Sequence, residues 1–379
     1  MIGKRQRPKS RRRSGAAKRD AAGNSASLIF EQPHGAAAQQ ASGKSLDTAH
    51  RPVLLDETVK LLAPERGGLF VDATLGLGGH SEVLLKANEN VRIIGIDRDA
   101  KALVIAANRL AEFTGRLRVV HTDYREIATV MDEAKESHAA GILADLGVSS
   151  MQFDMPERGF SFREDAPLDM RMNQTGDEET AADLLARLPE VEIARIIYEY
   201  GEERLSRRIA RRIVERRERG EPVDTTLTLA NLVRGAMGHT NERTHPATRT
   251  FQALRIAVNR ELDGLAEFIE QAVDLLTIGG RLAVISFHSL EDRIVKRTMR
   301  RLAGGCECDP RLPVCTCGAR RAVKLITRRP VAPNDEELHA NARARSAKLR
   351  VCERLEESVV DRFRVDGQSD RKIETHDFE

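Results

Sequence analysis

LFVDATLGLGGHS, residues 69–81, predicts a buried strand that enters a glycine-rich turn and then a helix beginning near His80. Gly76, Gly78 and Gly79 form the turn, because residues without a side chain let the backbone approach a ligand closely. The spacing departs from the dinucleotide fingerprint G-x-G-x-x-G, since Ser81 stands where the third glycine belongs. The stretch therefore predicts a nucleotide-like cofactor site, but it does not favour a dinucleotide.

Further short apolar runs follow, separated by longer helical patterns. The predicted strands are 91–96, 117–120, 141–146, 281–287 after a Gly279-Gly280 turn, and a late edge strand at 323–327. Strands flanked by helices in this way are typical of a mostly parallel α/β sheet. The interval 153–255 has helical periodicity and no convincing strand, so we expect an all-helical domain inserted between the fourth and fifth strands.

The inserted interval contains an arginine-rich helix. Leu205, Ile209 and Ile213 fall four residues apart and define its apolar face. Eight arginines crowd the remainder of this segment: Arg204, Arg207, Arg208, Arg211, Arg212, Arg216, Arg217 and Arg219. Glutamates lie among them, so the surface is either a solvated face or a contact for phosphates.

Composition shifts predict the boundaries of the domains. We expect a disordered basic tail at 1–48, the first part of the catalytic α/β domain at 49–152 and the helical insertion at 153–255. The second part of the α/β domain then occupies 256–355, followed by a disordered tail at 356–379. Lys and Arg occupy nine of the first twenty positions, which suits either an arm on phosphates or a solubilising tail.

Other classes of protein are disfavoured by composition. No apolar run approaches the roughly 20 residues of a membrane helix, and the basic start is not followed by the apolar segment of a secretory signal. Five cysteines in 379 residues do not indicate a disulfide scaffold. We therefore expect a cytoplasmic protein with no membrane partner.

Acidic residues follow the predicted strands. Asp97 ends the second strand about twenty residues beyond the turn, where a carboxylate binds ribose hydroxyls in nucleotide-binding folds. Its alternative role is to cap the next helix, which Asp99 is also placed to do. Asp123 and Tyr124 end the third strand and Asp145 the fourth. Because ligands bind outside the carboxyl ends of parallel strands, these residues predict one shared pocket, with Asp123 facing an adenine amino group and the Tyr124 ring covering the adenine.

From His50 to about Arg354 the chain resembles the bacterial small-subunit ribosomal RNA cytosine-N4 methyltransferases, the RsmH or MraW family. The matching segments are HRPVLLDE from His50, DATLGLGGHS from Asp72, DLGVSSMQFDMPERGFSFREDAPLDMRM from Asp145, YGEE from Tyr200, HPATRTFQALRIAVNREL from His245 and SFHSLEDR from Ser286. One departure is Ala342, which occupies the usual proline position of NARARS.

The resemblance implies a class I (Rossmann-like) methyltransferase sheet with an inserted helical domain. It also implies S-adenosylmethionine as cofactor and methylation of the exocyclic N4 of a decoding-centre cytosine. The expected partner is 16S rRNA within the small ribosomal subunit, and no DNA is expected. Carried over by position, the cofactor contacts are Gly78, Gly79, His80, Asp97, Tyr124, Asp145 and Gln152.

The N4 of cytosine is a poor nucleophile because its lone pair is delocalised into the ring, so an acceptor for an amine hydrogen would assist transfer. We expect Asp145 or Ser149 to be that acceptor, or Asp145 to serve only the cofactor. His288, just past the fifth strand, is a candidate for the base pocket or for packing. Phe153, Phe160 and Phe162 are candidates either to stack on an extruded base or to pack the insertion.

Cys306, Cys308, Cys315 and Cys317 form C-x-C-x6-C-x-C among turn-forming residues. Four thiolates suit a structural tetrahedral zinc, whereas free thiols are the alternative in a reducing compartment. Two other functions also stay open at this point. A nicotinamide-dependent dehydrogenase is disfavoured by the glycine spacing, and a non-catalytic RNA-binding assembly factor would keep the same fold.

Overall fold

The computed structural model describes residues 28–29, 51–238, 245–306, 308, 311 and 320–359. The strands in these segments are β1 (Leu28–Ile29), β2 (Gly68–Asp72), β3 (Val91–Asp97), β4 (Leu117–His121), β5 (Ala139–Asp145), β6 (Leu276–Ser286), β7 (Arg320–Leu325) and β8 (Lys348–Val359). They form one sheet in the order β1-β4-β3-β2-β5-β6-β8-β7. The pairs from β4 to β6 are parallel, and β1, β7 and β8 pair antiparallel at the two sides.

The helices lie mostly between the strands. They are α1 (Leu55–Leu62), α2 (Gly79–Ala87), α3 (Ala100–Arg109), α4 (Ile127–Glu133), α5 (Ser150–Asp154), α6 (Ala181–Arg187), α7 (Glu190–Gly201), α8 (Ser206–Glu218), α9 (Thr226–Met237), α10 (Thr248–Asn259), α11 (Leu265–Asp274), α12 (Ser289–Leu302) and α13 (Asp335–Ala340). This alternation around a largely parallel sheet confirms the predicted α/β fold, a Rossmann-like sheet with a helical insertion.

The central sheet is buried on both faces. Phe70 packs toward α1, α2 and α3, whereas its neighbour Val71 packs toward α4, α11 and α12. On β3, Ile93 likewise packs on the same face of the sheet as Phe70, and Ile94 packs on the same face as Val71. Because successive strand residues point to opposite faces, a continuous apolar run is the expected sequence of such a strand.

The inserted helices have a hydrophobic core of their own. Its buried members run from Phe160 to Leu254 and include Ile209 and Ile213 of α8, although Leu205 is exposed instead of sharing that face. Helix α7 packs against both α8 and α10. Since α5 and α10 extend across the predicted limits of 153 and 255, those limits remain a proposal.

The structure differs from three of the predictions made from the sequence. Gly279 and Gly280 were expected before the strand, but they lie inside β6. The register of pairing with β5 shifts there, from Ala139 opposite Leu276 to Gly141 opposite Arg281. Strand β8 continues to Val359, into the segment predicted to be a disordered tail, and β1 lies within the predicted N-terminal tail. Charged residues are frequent along 348–359, and this composition hid the strand in the sequence. The remainder of both predicted tails lies outside the described residues.

Within the described segments, none of the helices is both long and apolar enough to cross a membrane.

Candidate active site

The carboxyl ends of the central parallel strands surround a cavity of about 470 Å³. A cavity of this size and position is typical of a small-molecule site in an open α/β sheet. The predicted site residues that line it are Gly79, His80, Asp97, Tyr124, Asp145, Ser149 and Gln152. The structure therefore brings together residues that are widely separated in the sequence, as the strand pattern predicted.

The glycine-rich turn borders the cavity, and its three glycines, Gly76, Gly78 and Gly79, have different structural roles. Gly76 lines the cavity and donates its N–H to an Asp97 carboxylate oxygen at 2.7 Å. Gly79 also lines it, and a Cβ there would come 2.3 Å from Pro52. Gly78 is not part of the cavity wall. It has a φ of +77° at the start of α2, and a Cβ would meet Leu110, so its contribution is to the turn and its packing.

Asp97 lines the cavity, and backbone N–H groups hold both of its carboxylate oxygens. Oδ2 accepts from Gly76 N–H, and Oδ1 accepts from Asp99 N–H at 2.8 Å. Asp99, not Asp97, caps α3 by accepting from Lys101 and Ala102 N–H. The capping alternative for Asp97 is thus excluded, and each of its oxygens keeps a lone pair for a ligand. Burial raises the pKa of Asp97 above its usual value, and the two backbone hydrogen bonds oppose this.

Tyr124 stands at the side of the cavity in a fixed orientation. Its ring packs edge-on against Phe268 with centroids 4.8 Å apart, and its hydroxyl donates to the Glu261 carbonyl at 3.3 Å. An aromatic ring held in this way is suited to cover a planar base. Asp123 is used differently from the sequence expectation. Its oxygens bind Arg125 at 2.7 and 2.9 Å, and it is absent from the cavity wall.

Asp145 carries a buried oxygen that lacks a partner. Its Oδ1 is inaccessible to solvent and has no hydrogen bond within the described part of the chain. Oδ2 lies 3.8 Å from Nδ1 of His80. Burial, followed by the charges of Asp72 and Glu291, raises the pKa of Asp145 well above its ordinary value. A buried polar atom without a partner is uncommon in a folded protein and points to a ligand group that completes it.

His80 is buried and neutral at physiological pH. Burial lowers its pKa from 6.5 to about 4, although a hydrogen bond with the Val53 carbonyl opposes the shift. Nε2 lies 3.2 Å from that carbonyl oxygen. Because a carbonyl can only accept, the proton resides on Nε2 and the lone pair of Nδ1 faces Asp145.

Ser149 and Gln152 begin α5 as a reciprocal cap. The Ser149 hydroxyl accepts from Gln152 N–H, and the Gln152 amide oxygen accepts from Ser149 N–H at 3.0 Å. The Gln152 amide nitrogen donates to Asp99 at 2.8 Å. Arg158 Nη1 donates to the same Asp99 oxygen at 2.9 Å, and both of these side chains are almost fully buried. Gln152 thus links the cofactor side of the cavity to the insertion.

The cavity wall also contains charged residues that the sequence analysis did not single out. Arg255 and Glu261 line it and form a bidentate ion pair at 2.9 and 2.8 Å. Glu291 lines it too, whereas the predicted candidate His288 does not. His288 caps α12, with its Nδ1 3.4 Å from the Glu291 N–H. Arg255 and Glu261 lie in the segment HPATRTFQALRIAVNREL, and His288 and Glu291 lie in SFHSLEDR. Both segments carry the resemblance to the family, whereas general rules of motif spacing did not identify Arg255, Glu261 or Glu291 as site residues.

The three phenylalanines have different surroundings. Phe153 lines the cavity, with the Arg343 guanidinium 5.6 Å from its ring centroid. Phe160 is buried in the core of the insertion. Phe162 packs on Phe251 with centroids 4.8 Å apart. Phe153 is therefore the member of the three that is available to a base.

The cysteine cluster is described only in part. Cys306 and Cys308 lie just after α12, and the Cys308 N–H is 3.4 Å from the Cys306 sulfur. Cys315 and Cys317 lie outside the described residues. Structural zinc at this cluster therefore stays a prediction.

The sequence is similar to known proteins over most of its length. Residues 47–355 match the model of the MraW methylase family. A curated relative from Geobacter sp. (strain M21), "Ribosomal RNA small subunit methyltransferase H", is 50% identical over 312 residues, which cover 82% of this chain and 99% of the relative. Relatives with the same name from Geobacter sulfurreducens and Brevibacillus brevis are 52% and 48% identical, covering 81% and 82% of this chain and 99% of each relative.

Proposed function

The chain belongs to the MraW methylase family, and from this premise we propose that it methylates the exocyclic N4 of a decoding-centre cytosine in 16S ribosomal RNA. It is an S-adenosylmethionine-dependent methyltransferase with an RNA substrate. The small ribosomal subunit as partner and the cytosine N4 as target belong to the proposal. The observation that carries it is Asp97, whose two oxygens are held by backbone N–H groups at the cavity where the strand ends converge.

The residues of the cavity fit S-adenosylmethionine. Asp97 keeps a lone pair on each oxygen for the ribose hydroxyls, and Tyr124 offers a ring to the adenine. The close contact of Gly79 with Pro52 leaves no room for a side chain beside the cavity. The cofactor supplies a methyl group on a positively charged sulfur. His80, Asp145, Gly79 and Gln152 complete the proposed cofactor contacts, and Gly78 shapes the turn.

The protein contributes mainly orientation to the reaction. Methyl transfer requires the acceptor nitrogen in line with the breaking carbon–sulfur bond, so correct placement accounts for much of the rate. Ser149, on the cavity wall beside Asp145, is a proposed hydrogen-bond partner for the target base. Phe153 is the proposed ring for an extruded cytosine, because a base inside a helix cannot bring its amine to a buried site.

A surface for RNA is offered by the arginine face, which we define as Arg204, Arg207, Arg208, Arg211, Arg212 and Arg219. All six are exposed, and α8 holds Ile209 and Ile213 on its opposite, buried side. Arg217 is excluded from the face because it donates to the carbonyls of Leu185, Ala186 and Leu188.

The arginine face begins near the active site. Glu202, just before it, accepts from the Ser289 hydroxyl at 2.9 Å and from Arg293 at 3.0 Å on α12. Helix α12 also carries Glu291 of the cavity wall. A helix of 13 residues extends about 20 Å, so the face offers positive charge to several consecutive phosphates beside the cavity.

Three further features belong to the same proposal. We propose a cytoplasmic location, a division into α/β and helical parts near 49–152, 153–255 and 256–355, and a structural zinc at the cysteine cluster. Zinc has no part in the proposed methyl transfer.

The function is tested by incubating purified protein with S-adenosylmethionine labelled in its methyl group. The RNA is supplied as small ribosomal subunits from a strain that lacks the modification, as naked 16S rRNA, and as large subunits for control. We expect label on small-subunit RNA and none on large subunits. Measurable cofactor binding without label on either small-subunit substrate would overturn the proposal.

A further inference from the structure

The cavity wall contains a buried carboxylate to which no role has yet been assigned, Glu291. It lies in the first turn of α12, directly after the carboxyl end of β6, and is 1% exposed. Its side chain lines the cavity together with Asp145. A charged group in this position is costly to bury unless it is compensated, so its retention needs an explanation.

The surroundings of Glu291 fix its orientation. Oε2 accepts from the Phe287 N–H at 2.9 Å, and Oε1 lies 3.1 Å from Nε2 of His288. Nδ1 of His288 in turn accepts a hydrogen bond from the Glu291 N–H. Arg255 stands nearby on α10, paired with Glu261. Although burial alone would raise it, His288 and Arg255 hold the pKa of Glu291 below its ordinary value.

A second observation points to a missing partner at this wall. One buried polar atom, Asp145 Oδ1, has no hydrogen bond within the described residues. The His288 side chain is 6% exposed, and its Nε2 lies 3.1 Å from Oε1 of Glu291. Asp145, which also lines the cavity, interacts electrostatically with Glu291. The wall is therefore incomplete in the protein alone, which is expected where a polar ligand group enters.

We propose that Glu291 is the residue that accepts a hydrogen of the target amine and takes its proton after methyl transfer. The inference rests on the proposed function and extends it to the residue that removes the proton. Glu291 is favoured over Asp145 because the Phe287 N–H and the His288 ring orient its carboxylate, whereas burial raises the pKa of Asp145 well above its ordinary value and so disfavours its charged form. Two carboxyl groups in one cavity with pKa values moved in opposite directions are a recurrent sign of divided acid–base roles.

The chemistry balances with the groups named. Transfer forms one bond, between N4 and the methyl carbon, and breaks one, between that carbon and sulfur, which keeps the electron pair. The nitrogen then carries a positive charge and an extra proton, which passes to the Glu291 carboxylate and from there to water. Because this protonated amine is a strong acid, an ionised carboxylate of ordinary basicity is sufficient, and its charge also stabilises the positive charge that develops on nitrogen.

His288 acts through Glu291 and is a positioning residue. It does not line the cavity, but it caps α12 and lies against Oε1. His288, the candidate from the sequence, lies at the start of α12, close to the proposed catalytic residue. The side chain that lines the cavity is Glu291, three residues further along the chain.

The test is Glu291→Gln, which keeps an oxygen to accept from Phe287 N–H and removes the charge. Glu267→Gln is the matched control, because Glu267 occupies the same position in the first turn of α11 but is exposed. For each protein we would measure kcat and KM on small subunits, the Kd for S-adenosylmethionine by calorimetry, and the Tm.

We expect Glu291→Gln to lower kcat about 100-fold or more. KM, the cofactor Kd and the Tm should stay close to those of the wild type, and Glu267→Gln should have normal kinetics. A kcat within threefold of the wild type would overturn the inference. Equal losses of cofactor affinity or of Tm would also overturn it, because Glu291 would then merely hold α12.

A second variant keeps the inference testable if Glu291→Gln does not fold. Glu291→Asp retains the negative charge on a shorter side chain and should keep more of kcat than Glu291→Ala, with rates in the order wild type, Asp, Ala. An Asp variant no more active than the Ala variant would contradict the role of the charge. Absence of N4-methylcytidine with the wild-type protein would instead refute the proposed function, so the two failures are distinguishable.

Discussion

The guanidinium of Arg158 lies 2.9 Å from the carboxylate of Asp99, and the two side chains are 1% and 5% exposed. Asp99 follows Asp97 by two residues and donates its N–H to the Asp97 carboxylate. Arg158 also donates to the carbonyls of Arg171 and Met172, in the segment of the proposed insertion that precedes α6. The pair therefore connects the strand end proposed to bind the ribose to the part of the protein proposed to hold RNA.

Removal of Arg158 should destabilise the protein strongly. Arg158→Ala leaves Asp99 buried without its cation, a change that costs about 3–5 kcal/mol. The free energy of unfolding, from urea titration, measures this loss. Arg187→Ala is the control, because its pair with Glu179 is exposed and is worth no more than about 1 kcal/mol. Equal effects of the two changes would show that the buried pair does not join the two parts.

Asp97→Asn should weaken the binding of S-adenosylmethionine. Hydrogen bonds to a charged acceptor contribute about 1.5–3 kcal/mol, so we expect roughly 10- to 100-fold lower affinity. Calorimetry with the cofactor alone checks this, and exposed Asp56→Asn serves as control. Unchanged affinity in Asp97→Asn would remove the ribose contact from the account.

The arginine face should contribute binding energy that depends on salt. In the double variant Arg204→Gln, Arg208→Gln, two phosphate contacts are lost, so the slope of log affinity against log salt should fall by about 2. Filter binding to small-subunit RNA at several salt concentrations measures the slope. Arg187→Gln, Arg195→Gln has the same charge change at exposed pairs with Glu179 and Glu192 and should keep the wild-type slope. Equal slopes for both double variants would place the RNA elsewhere.

Burial of neutral His80 should make stability depend on pH. Its pKa is lowered from 6.5 to about 4 in the folded protein, so the unfolded chain binds more protons between these values. The contribution of His80 is therefore fully present above pH 6.5 and is lost as the pH falls toward 4, up to about 3 kcal/mol. His80→Gln keeps an N–H for the Val53 carbonyl but does not titrate.

The quantity to measure is the difference in unfolding free energy between the wild type and His80→Gln from pH 4 to pH 7. Asp72, whose pKa burial raises from 3.8 to about 6, has the opposite dependence, but it is present in both proteins and cancels. A difference that does not change with pH would mean that His80 is solvated or charged in the folded state.

The sequence predicted those features that depend on local pattern. Apolar runs ending in Asp97 and Asp145 identified the central strands and the side of the sheet where a ligand binds, because parallel strands share a carboxyl edge. The helical interval was recognised from its periodicity alone. Strand β8 was not predicted, since its many charged residues resemble those of an exposed segment.

Contacts between distant segments could not be predicted in this way. Nothing local distinguishes Arg158 from the surface arginines around it, because its partner Asp99 lies 59 residues earlier. Gly78 looked like a ligand contact, but its backbone turn and the packing of Leu110 explain it. Likewise, His288 has the chemistry expected of a site residue, but it caps α12, and Glu291 in the first turn of that helix is the residue that lines the cavity.

The most direct test of the central claim is the identity of the methylated nucleoside. Small subunits from a strain lacking the modification would be treated with the protein and S-adenosylmethionine, and their 16S rRNA digested to nucleosides for chromatography and mass spectrometry. We predict one new product, N4-methylcytidine, in treated RNA and none with Asp97→Asn at low cofactor concentration. A new methyl group on carbon 5 of cytosine, on ribose or on another base would contradict the account.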